Sequence, residues 1–300
     1  SNRKNGFVIL DVSDPYNVTI TAEYNDDMTG GVHNVFVYEN HVYAVNNGTK
    51  YDIINIEDPS NPFRVGVYEL DTPGHSLHDV WIENGIAYSS NWSDGVVAVD
   101  IGGIKFDEAD RSKSQFNPLL AKAGQGSPSN PVKLASMGDP TGRNHAAFPF
   151  LSESTGNFYI IAGDENFPWG VLATKGQPSN PRGGYHFLNF SDPDNPKEEA
   201  IYEVPEAGSH NLWVFGDILI AGNYQGGLRV VDISGELLGD IYKQGREIGH
   251  YLPYHKKGKI PNAPMVWGAQ PYKDYIFFAD MNSGLYCIKL EDKKKDSGTP

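Results

Sequence analysis

GHSLHDVWIENGIAYSSNWSDGVVAVDI, residues 74–101, decides the fold, because other parts of the chain repeat it. Three copies align without gaps on a histidine and on an asparagine thirteen residues later: His33 and Asn46, His78 and Asn91, His210 and Asn223. A fourth copy has His145 and Asp164 at these two positions, and a fifth has Trp267 and Asp280. Repeats of about 40 to 65 residues with several short strands each predict a β-propeller, since one such unit cannot bury both of its faces alone.

The predicted fold is all-β, a β-propeller of four-stranded blades in a single domain spanning 1–300. Six copies of the third strand are visible, and the first and last belong to incomplete blades, so we expect about six to seven blades. Because the chain begins inside a repeat, we also expect the natural polypeptide to extend upstream of Ser1. Long insertions interrupt the pattern near 102–129, 165–183 and 235–264, and the best helical candidate, 236–243, is short.

A proline turn follows the third strand in three copies, as SDPYN (13–17), EDPSNP (57–62) and SDPDNP (191–196). Aspartate favours the start of such a turn, and proline fixes φ there. Together with the strand before it, this element reads GFVILDVSDPYN, YDIINIEDPSNP, GYHFLNFSDPDNP and GGLRVVDIS, and it resembles the LVIVD repeat. The resemblance implies a propeller that bacteria or archaea export or attach to their surface, and it implies no particular reaction.

The charge of the chain limits its partners. There are 24 Lys and Arg against 38 Asp and Glu, a net charge of -14, so nucleic acid is excluded as a partner. An acidic surface can bind cations, including calcium. Alternatively, its only effect is to keep the protein in solution. No apolar run reaches the roughly 18 residues of a membrane span. The single cysteine, Cys287, lies in the apolar run LYCIKL, where we expect a small core residue.

The innermost strand of a propeller blade lines the central channel, and the second strand returns beside it. One rim of the channel should therefore carry the repeated histidines and acids: His33, His78, His145, His210, Asp164 and Asp280. Such groups could hold a divalent metal ion, Zn, Cu, Fe or Ca. The alternative is that each histidine bridges neighbouring blades through a backbone carbonyl. HSLHDVW (75–81) and SSNWSDG (89–95) also resemble the selenium-binding or methanethiol oxidase propellers, whose channel histidines hold a metal.

Residues near this rim that break the repeat are better candidates for specificity. We predict ligand-binding roles for seven of them: His75, Asp79, Trp92, Arg143, Glu165, His186 and Trp267. Trp169, in the second insertion, is a further aromatic candidate, although aromatic residues at a channel mouth also serve packing. The chain has no GxSxG, Walker, HExxH or EF-hand pattern, so no catalytic residue is assigned.

Two functions fit the sequence. The first is an exported or cell-surface binding or assembly module, extracellular or periplasmic, whose loop-rich channel face recognises a protein, a glycan or a small molecule. The second is a metal-dependent enzyme, an oxidoreductase or hydrolase, with the metal at the histidine rim. In either case the chain works as an oligomer or in a larger assembly if its incomplete terminal blades pair with other strands.

Overall fold

The computed structural model describes residues 6–28, 30–103, 117–167 and 180–291. In these ranges the chain is all-β, with strands β1 to β22 and one 3-10 helix, Pro118–Ala121, in the first insertion. It divides into two compact units. Unit 1 comprises Ser1–Asp164 and Tyr185–Ala200, and unit 2 comprises Glu165–Gly184 and Ile201–Pro300. Among the described residues, no helix has the length and apolar character needed to cross a membrane.

Unit 1 contains sheets 1 to 3 and most of sheet 4. Sheet 1 consists of β1 (Phe7–Asp11) and β2 (Thr19–Tyr24). Sheet 2 consists of β3 (Val32–Tyr38), β4 (His41–Asn46), β5 (Lys50–Asn55) and β6 (Phe63–Glu69). Sheet 3 consists of β7 (Asp79–Glu83), β8 (Ile86–Ser90), β9 (Val96–Asp100) and β10 (Val132–Met137). Sheet 4 consists of β11 (Asn144–Leu151), β12 (Phe158–Asp164), β13 (Tyr185–Asn189) and β14 (Lys197–Tyr202), with the short β18 (Gly239–Asp240) beside β14.

Unit 2 contains sheets 5 and 6. Sheet 5 consists of β15 (Leu212–Phe215), β16 (Ile218–Gly222), β17 (Leu228–Asp232) and β19 (Glu247–Tyr251). Sheet 6 consists of β20 (Val266–Tyr272), β21 (Tyr275–Asp280) and β22 (Gly284–Ile288). The third insertion supplies β19 as an outer strand in place of the proline turn and strand of the other copies.

The sheets are blades of a β-propeller, as the repeat predicts. Five of them, sheets 2 to 6, have three strands or more and form the blades. The expected six to seven blades are not found in the described chain, because sheet 1 consists of only two strands. The four-stranded pattern holds for sheets 2, 3 and 5, whereas sheet 4 has five strands and sheet 6 has three.

One hydrogen bond at the end of the third strand in sheets 1 to 5 explains the final aspartate of the repeated element. A side-chain oxygen accepts the N–H two residues further on at five equivalent places: Asp11 to Ser13, Asn55 to Glu57, Asp100 to Gly102, Asn189 to Ser191 and Asp232 to Ser234. This Asx turn ends the strand and begins the reversal of the chain. Asparagine serves as well as aspartate, since only an acceptor oxygen is needed.

The proline turn has its own side-chain hydrogen bonds. In sheet 2, one carboxylate oxygen of Asp58 accepts the Ser60 N–H at 3.0 Å, and the other accepts from the Asn61 side chain at 2.6 Å. Asp14 and Asp192 make the equivalent bonds in their turns. The aspartate and asparagine of S-D-P-x-N-P therefore both stabilise the turn.

Apolar side chains of neighbouring blades pack face to face. Tyr51 of sheet 2 and Ile82 of sheet 3 belong to one buried cluster, and Tyr88 of sheet 3 and Ile160 of sheet 4 belong to the next. In unit 2, sheets 5 and 6 share a third cluster. The packing in unit 1 holds the inner strands β3, β7 and β11 side by side, which brings the starts of these strands together.

Two expectations from the sequence are wrong. The helical candidate 236–243 forms no helix and instead contains the short strand β18. Cys287 is exposed rather than in the core, because β22 is the outer strand of sheet 6 and no further strand of the described chain covers it.

Candidate functional site

Three of the predicted metal-ligating histidines form a row at the starts of the inner strands of unit 1. The ring centroids of His33 and His78 are 4.5 Å apart, and those of His78 and His145 are 4.2 Å apart. His145 is only 3% exposed, whereas His33 lies at the surface. His33 and His145 lie at β-bulges of β3 and β11, which redirect side chains from the regular pleat. The repeat thus brings the imidazoles together, and their role in metal binding stays a prediction.

A pocket of about 400 Å³ lies beside this row. It is lined by Gly74, His75, Ser76, Trp92, Ser93 and Arg143. His75 is held by Asp94, whose Oδ2 is 2.7 Å from the imidazole Nδ1. Within the described ranges, the guanidinium of Arg143 has no carboxylate partner. The pocket therefore combines an indole, an imidazole, two hydroxyls and an uncompensated positive charge.

The repeated asparagine sets the position of Trp92. The Asn91 side chain donates to the carbonyl oxygens of Ser89 at 3.0 Å and Gly95 at 2.9 Å, which closes the turn after β8. The turn places Trp92 in the left-handed region, at φ 48°, as it does the equivalent Asn47 at φ 59°. Non-glycine residues seldom adopt this conformation, and asparagine does so more readily than tryptophan. The indole centroid is 4.5 Å from that of His78.

Asp79 is the first residue of β7, directly after His78. Its Oδ1 accepts from the Asn34 side chain at 2.5 Å and from the Val80 N–H at 2.7 Å. Burial raises the pKa of Asp79 to about 6, although both hydrogen bonds lower it. Asp79 is thus engaged with its own neighbours on sheets 2 and 3, and it does not line the pocket.

Sheet 4 contains a network of charged groups that runs from the buried Asp164 and His186 to the partly exposed Glu198. His186 lies between two carboxylates, with Nε2 3.0 Å from Asp164 Oδ2 and Nδ1 2.6 Å from Glu198 Oε1. Asp164 and His186 are each 2% exposed. Burial alone would lower the pKa of His186. The hydrogen bond and charge of Asp164, the hydrogen bond of Glu198 and the charge of Asp139 together raise it to about 9.

Asp139 completes this network from the loop before β11. Its Oδ2 accepts from Thr141 Oγ1 at 2.8 Å and from the Arg143 N–H at 2.7 Å. Its Oδ1 is buried and has no hydrogen-bond partner among the described residues. Burial, followed by the negative charge of Asp164, raises the pKa of Asp139 against the two hydrogen bonds, which lower it.

The other predicted site residues lie in unit 2. His210 Nδ1 is 2.8 Å from the Trp267 carbonyl oxygen, and the two rings stack with centroids 5.3 Å apart. This is the bridge through a backbone carbonyl that the sequence offered as an alternative to metal binding. Glu165 accepts a hydrogen bond from the Tyr224 hydroxyl and lies 3.8 Å from His210 Nε2. Burial raises the pKa of Glu165, although the bond from Tyr224 lowers it.

Asp280 organises the turn after β21. Its Oδ1 accepts from the N–H groups of Asn282 and Ser283 and from the Ser283 hydroxyl, and its Oδ2 accepts from the Met265 N–H at 2.5 Å. These four donors give the side chain a structural role within sheet 6. The role of Asp280 as a metal ligand stays a prediction. Trp169, the further aromatic candidate, lies outside the described residues.

The LVIVD repeat family matches residues 2–26 and 29–69. The chain carries LVIVD repeats. No curated protein matches it significantly. Among solved structures, the computationally designed Ika8 protein is similar at 11% identity with a TM-score of 0.49, over 90% of this chain and 62% of that one. The computationally designed Ika4 protein is similar at 10% identity with a TM-score of 0.40, over 74% of this chain and 96% of that one. The chain thus spans less than two thirds of Ika8.

The second matched LVIVD segment, 29–69, is sheet 2, and its side chains have counterparts in sheet 4. The strand registers and turns place four pairs equivalently: Asp27 with Asp139, Asn46 with Asp164, Asp52 with His186 and Arg64 with Glu198. Asp139 and Glu198 were not among the residues predicted from the sequence. Extending the alignment beyond the histidine and asparagine to the loop before the first strand and to the second residue after the proline turn would have found both.

Proposed function

We propose that this protein is an exported or cell-surface binding module and that the pocket beside Trp92 is its ligand site. The observation that carries the proposal is the pocket itself, since three of its lining residues, His75, Trp92 and Arg143, break the repeat. Binding sites combine apolar and aromatic walls with a few placed polar groups, and this pocket has both.

The chemistry of the pocket favours a glycan with a carboxylate. The indole of Trp92 offers an apolar face with one polar edge, which suits a sugar ring. Ser76 and Ser93 supply hydroxyls that both donate and accept. The guanidinium of Arg143 matches a carboxylate in a bidentate geometry. In a chain of net charge -14, this uncompensated cation gives an anionic ligand one local point of attraction.

Calorimetric titration with acidic and neutral oligosaccharides of equal length tests the proposal. We expect the acidic series to bind, and Arg143→Gln to weaken it by about 10- to 100-fold, the value of a hydrogen bond to a charged group. Trp92→Asn should also weaken binding while keeping the turn, because Asn47 occupies the equivalent left-handed position.

Lys259→Gln is the matched control, since it removes an exposed positive charge from unit 2 and should leave the affinity unchanged. Equal affinity of wild type and Arg143→Gln for the acidic series would refute the assignment of this pocket as the ligand site. The absence of any glycan binding would refute it as well.

A metal-dependent oxidoreductase or hydrolase is the second candidate, favoured by the row of His33, His78 and His145. Under this alternative, His78→Ala should remove both the turnover and the metal. Turnover that survives His78→Ala would reject it.

A further inference from the structure

Three potential ligand atoms converge in sheet 4, away from the row of histidines. A carboxylate oxygen of Asp139, one of Asp164 and a ring nitrogen of His186 all lie within 4.8 Å of one another. Ligands held about 2.0 to 2.2 Å from a tetrahedral ion are themselves about 3.3 to 3.6 Å apart. Asp164 Oδ2 and His186 Nε2, at 3.0 Å, are already close to that spacing. This pair would have to separate slightly to admit an ion, and a carboxylate oxygen of Asp139 lies within 4.8 Å of a ligand atom of each residue.

The charges of the network call for a cation. In the equivalent quartet of sheet 2, Arg64 supplies a fixed positive charge beside Asp52. Sheet 4 has Glu198 at that position, so three carboxylates surround a single imidazole. Even with His186 protonated, two negative charges remain around the buried Asp164 and His186, with Glu198 at the exposed edge of the network. Uncompensated charge beside buried groups is unfavourable. A divalent ion would balance them.

The side chains are also held in the orientation that a metal requires. Metal-bound histidine usually donates its other ring N–H to a carboxylate, which fixes the ring. Glu198 is the carboxylate in this position, because its Oε1 lies 2.6 Å from Nδ1 of His186. The other ring nitrogen, Nε2, is directed at Asp164. The Oδ2 atom of Asp139 accepts hydrogen bonds from the Thr141 hydroxyl and the Arg143 N–H. Its Oδ1 atom is buried and has no hydrogen-bond partner in the described chain.

We propose that Asp139, Asp164 and His186 bind one divalent transition-metal ion, with Glu198 orienting the imidazole. The donor set of two carboxylates and one imidazole suits Zn²⁺, Fe²⁺ or Mn²⁺. Calcium takes oxygen ligands only, so it does not match the imidazole. None of the three proposed ligands lines the glycan pocket.

Titration of the chelator-treated full chain with ZnCl₂, followed by calorimetry, tests the site. We expect one equivalent to bind, and Asp139→Asn to weaken the affinity at least 100-fold. Asp27→Asn is the matched control, because Asp27 occupies the same position in sheet 2, where Arg64 is the cation. It should bind zinc like wild type.

Glu198→Gln provides a second variant that keeps all three ligands. Loss of such a supporting carboxylate costs about 10- to 100-fold in metal affinity. The absorption spectrum of the Co²⁺-loaded protein should show oxygen and nitrogen ligands, and Glu198→Gln should shift it. Circular dichroism and thermal melts in chelator establish that each variant is folded. If Asp139→Asn does not fold, the zinc affinity of Glu198→Gln tests the proposal instead.

Three outcomes would overturn the proposal: no zinc binding by wild type, equal affinity of wild type and both variants, or binding that is lost only in His78→Ala. The last result would place the metal at the histidine row instead.

Discussion

Sheets 2 and 4 have the same backbone plan, but an arginine of sheet 2, Arg64, is replaced in sheet 4 by a glutamate, Glu198. In sheet 2, Asp52 is fully buried, and Arg64 Nη1 lies 3.1 Å from its Oδ1. Arg64 Nη2 also lies 3.2 Å from Asp27, and Asn46 donates to Asp52 at 2.7 Å. The cation of this quartet is the permanently charged guanidinium of Arg64, whereas sheet 4 offers only the titratable imidazole of His186 to three carboxylates. A repeat can therefore keep one geometry and still convert a structural ion pair into a candidate metal site through a few substitutions.

The strongest test transplants one quartet into the other. Asp164→Asn, His186→Asp and Glu198→Arg together give sheet 4 the side chains of sheet 2. We expect the stabilisation by Zn²⁺, about 2.7 kcal/mol at 100 times the Kd in wild type, to disappear. In chelator, the free energy of unfolding should stay within about 1 kcal/mol of wild type, since the new ion pair replaces the old one.

Denaturant unfolding with and without zinc measures both quantities. A triple variant that retains the full response to zinc would show that the quartets are not equivalent in charge. The control is Asp27→Asn, whose response should equal that of wild type.

The second test breaks the ion pair of sheet 2. Arg64→Gln leaves the buried carboxylate of Asp52 without its main cation, and an unsatisfied buried group costs about 1 to 3 kcal/mol. We expect a loss near the middle of this range, because Asn46 and Lys50 remain beside Asp52 and Arg64 is partly exposed. Denaturant unfolding measures it, with Arg143→Gln as the control that should change stability little. A loss no larger than that of the control would contradict the assignment.

The third and smallest test concerns Asp100, which differs from the other Asx-turn residues in its extra bonds. Besides the Gly102 N–H, its carboxylate accepts the N–H groups of Gly124, Gln125 and Gly126 at the end of the first insertion. Burial raises the pKa of Asp100, but these four bonds outweigh burial and lower it. Its stabilising effect is therefore present above the unfolded pKa near 3.8 and is lost as the pH falls through the folded value.

Asp100→Asn should accordingly reduce stability by about 1 kcal/mol at pH 7, and the difference from wild type should shrink below about pH 4. Chemical denaturation of wild type and variant at pH 7 and below about pH 4 measures this difference in stability. Asp232→Asn, which keeps only the common turn, should cost less. The same deficit at both pH values would mean that the charge of Asp100 is not involved.

The sequence predicts the elements that repeat, but it does not predict those that depend on the register of strand pairing. The histidine and asparagine positions, the proline turns and most strands follow from patterns of fixed spacing, and these predictions are confirmed by the LVIVD match and the sheets. The network of sheet 4 was not predicted, because Asp164 and His186 are separated by the second insertion and meet only through the pairing of β12 with β13. The predicted number of blades is not confirmed, because a visible third strand does not guarantee a complete sheet and sheet 1 has only two strands.

The hydrogen bond from the Arg143 N–H to Asp139 joins the two proposals by thermodynamic linkage. Asp139 would hold the ion with one oxygen, and its other oxygen holds the loop whose last residue, Arg143, lines the pocket. An ion that restrains this loop would reduce the entropy lost when an acidic ligand engages the guanidinium. The effect must be reciprocal, so the ligand would tighten the metal by the same factor that the metal tightens the ligand.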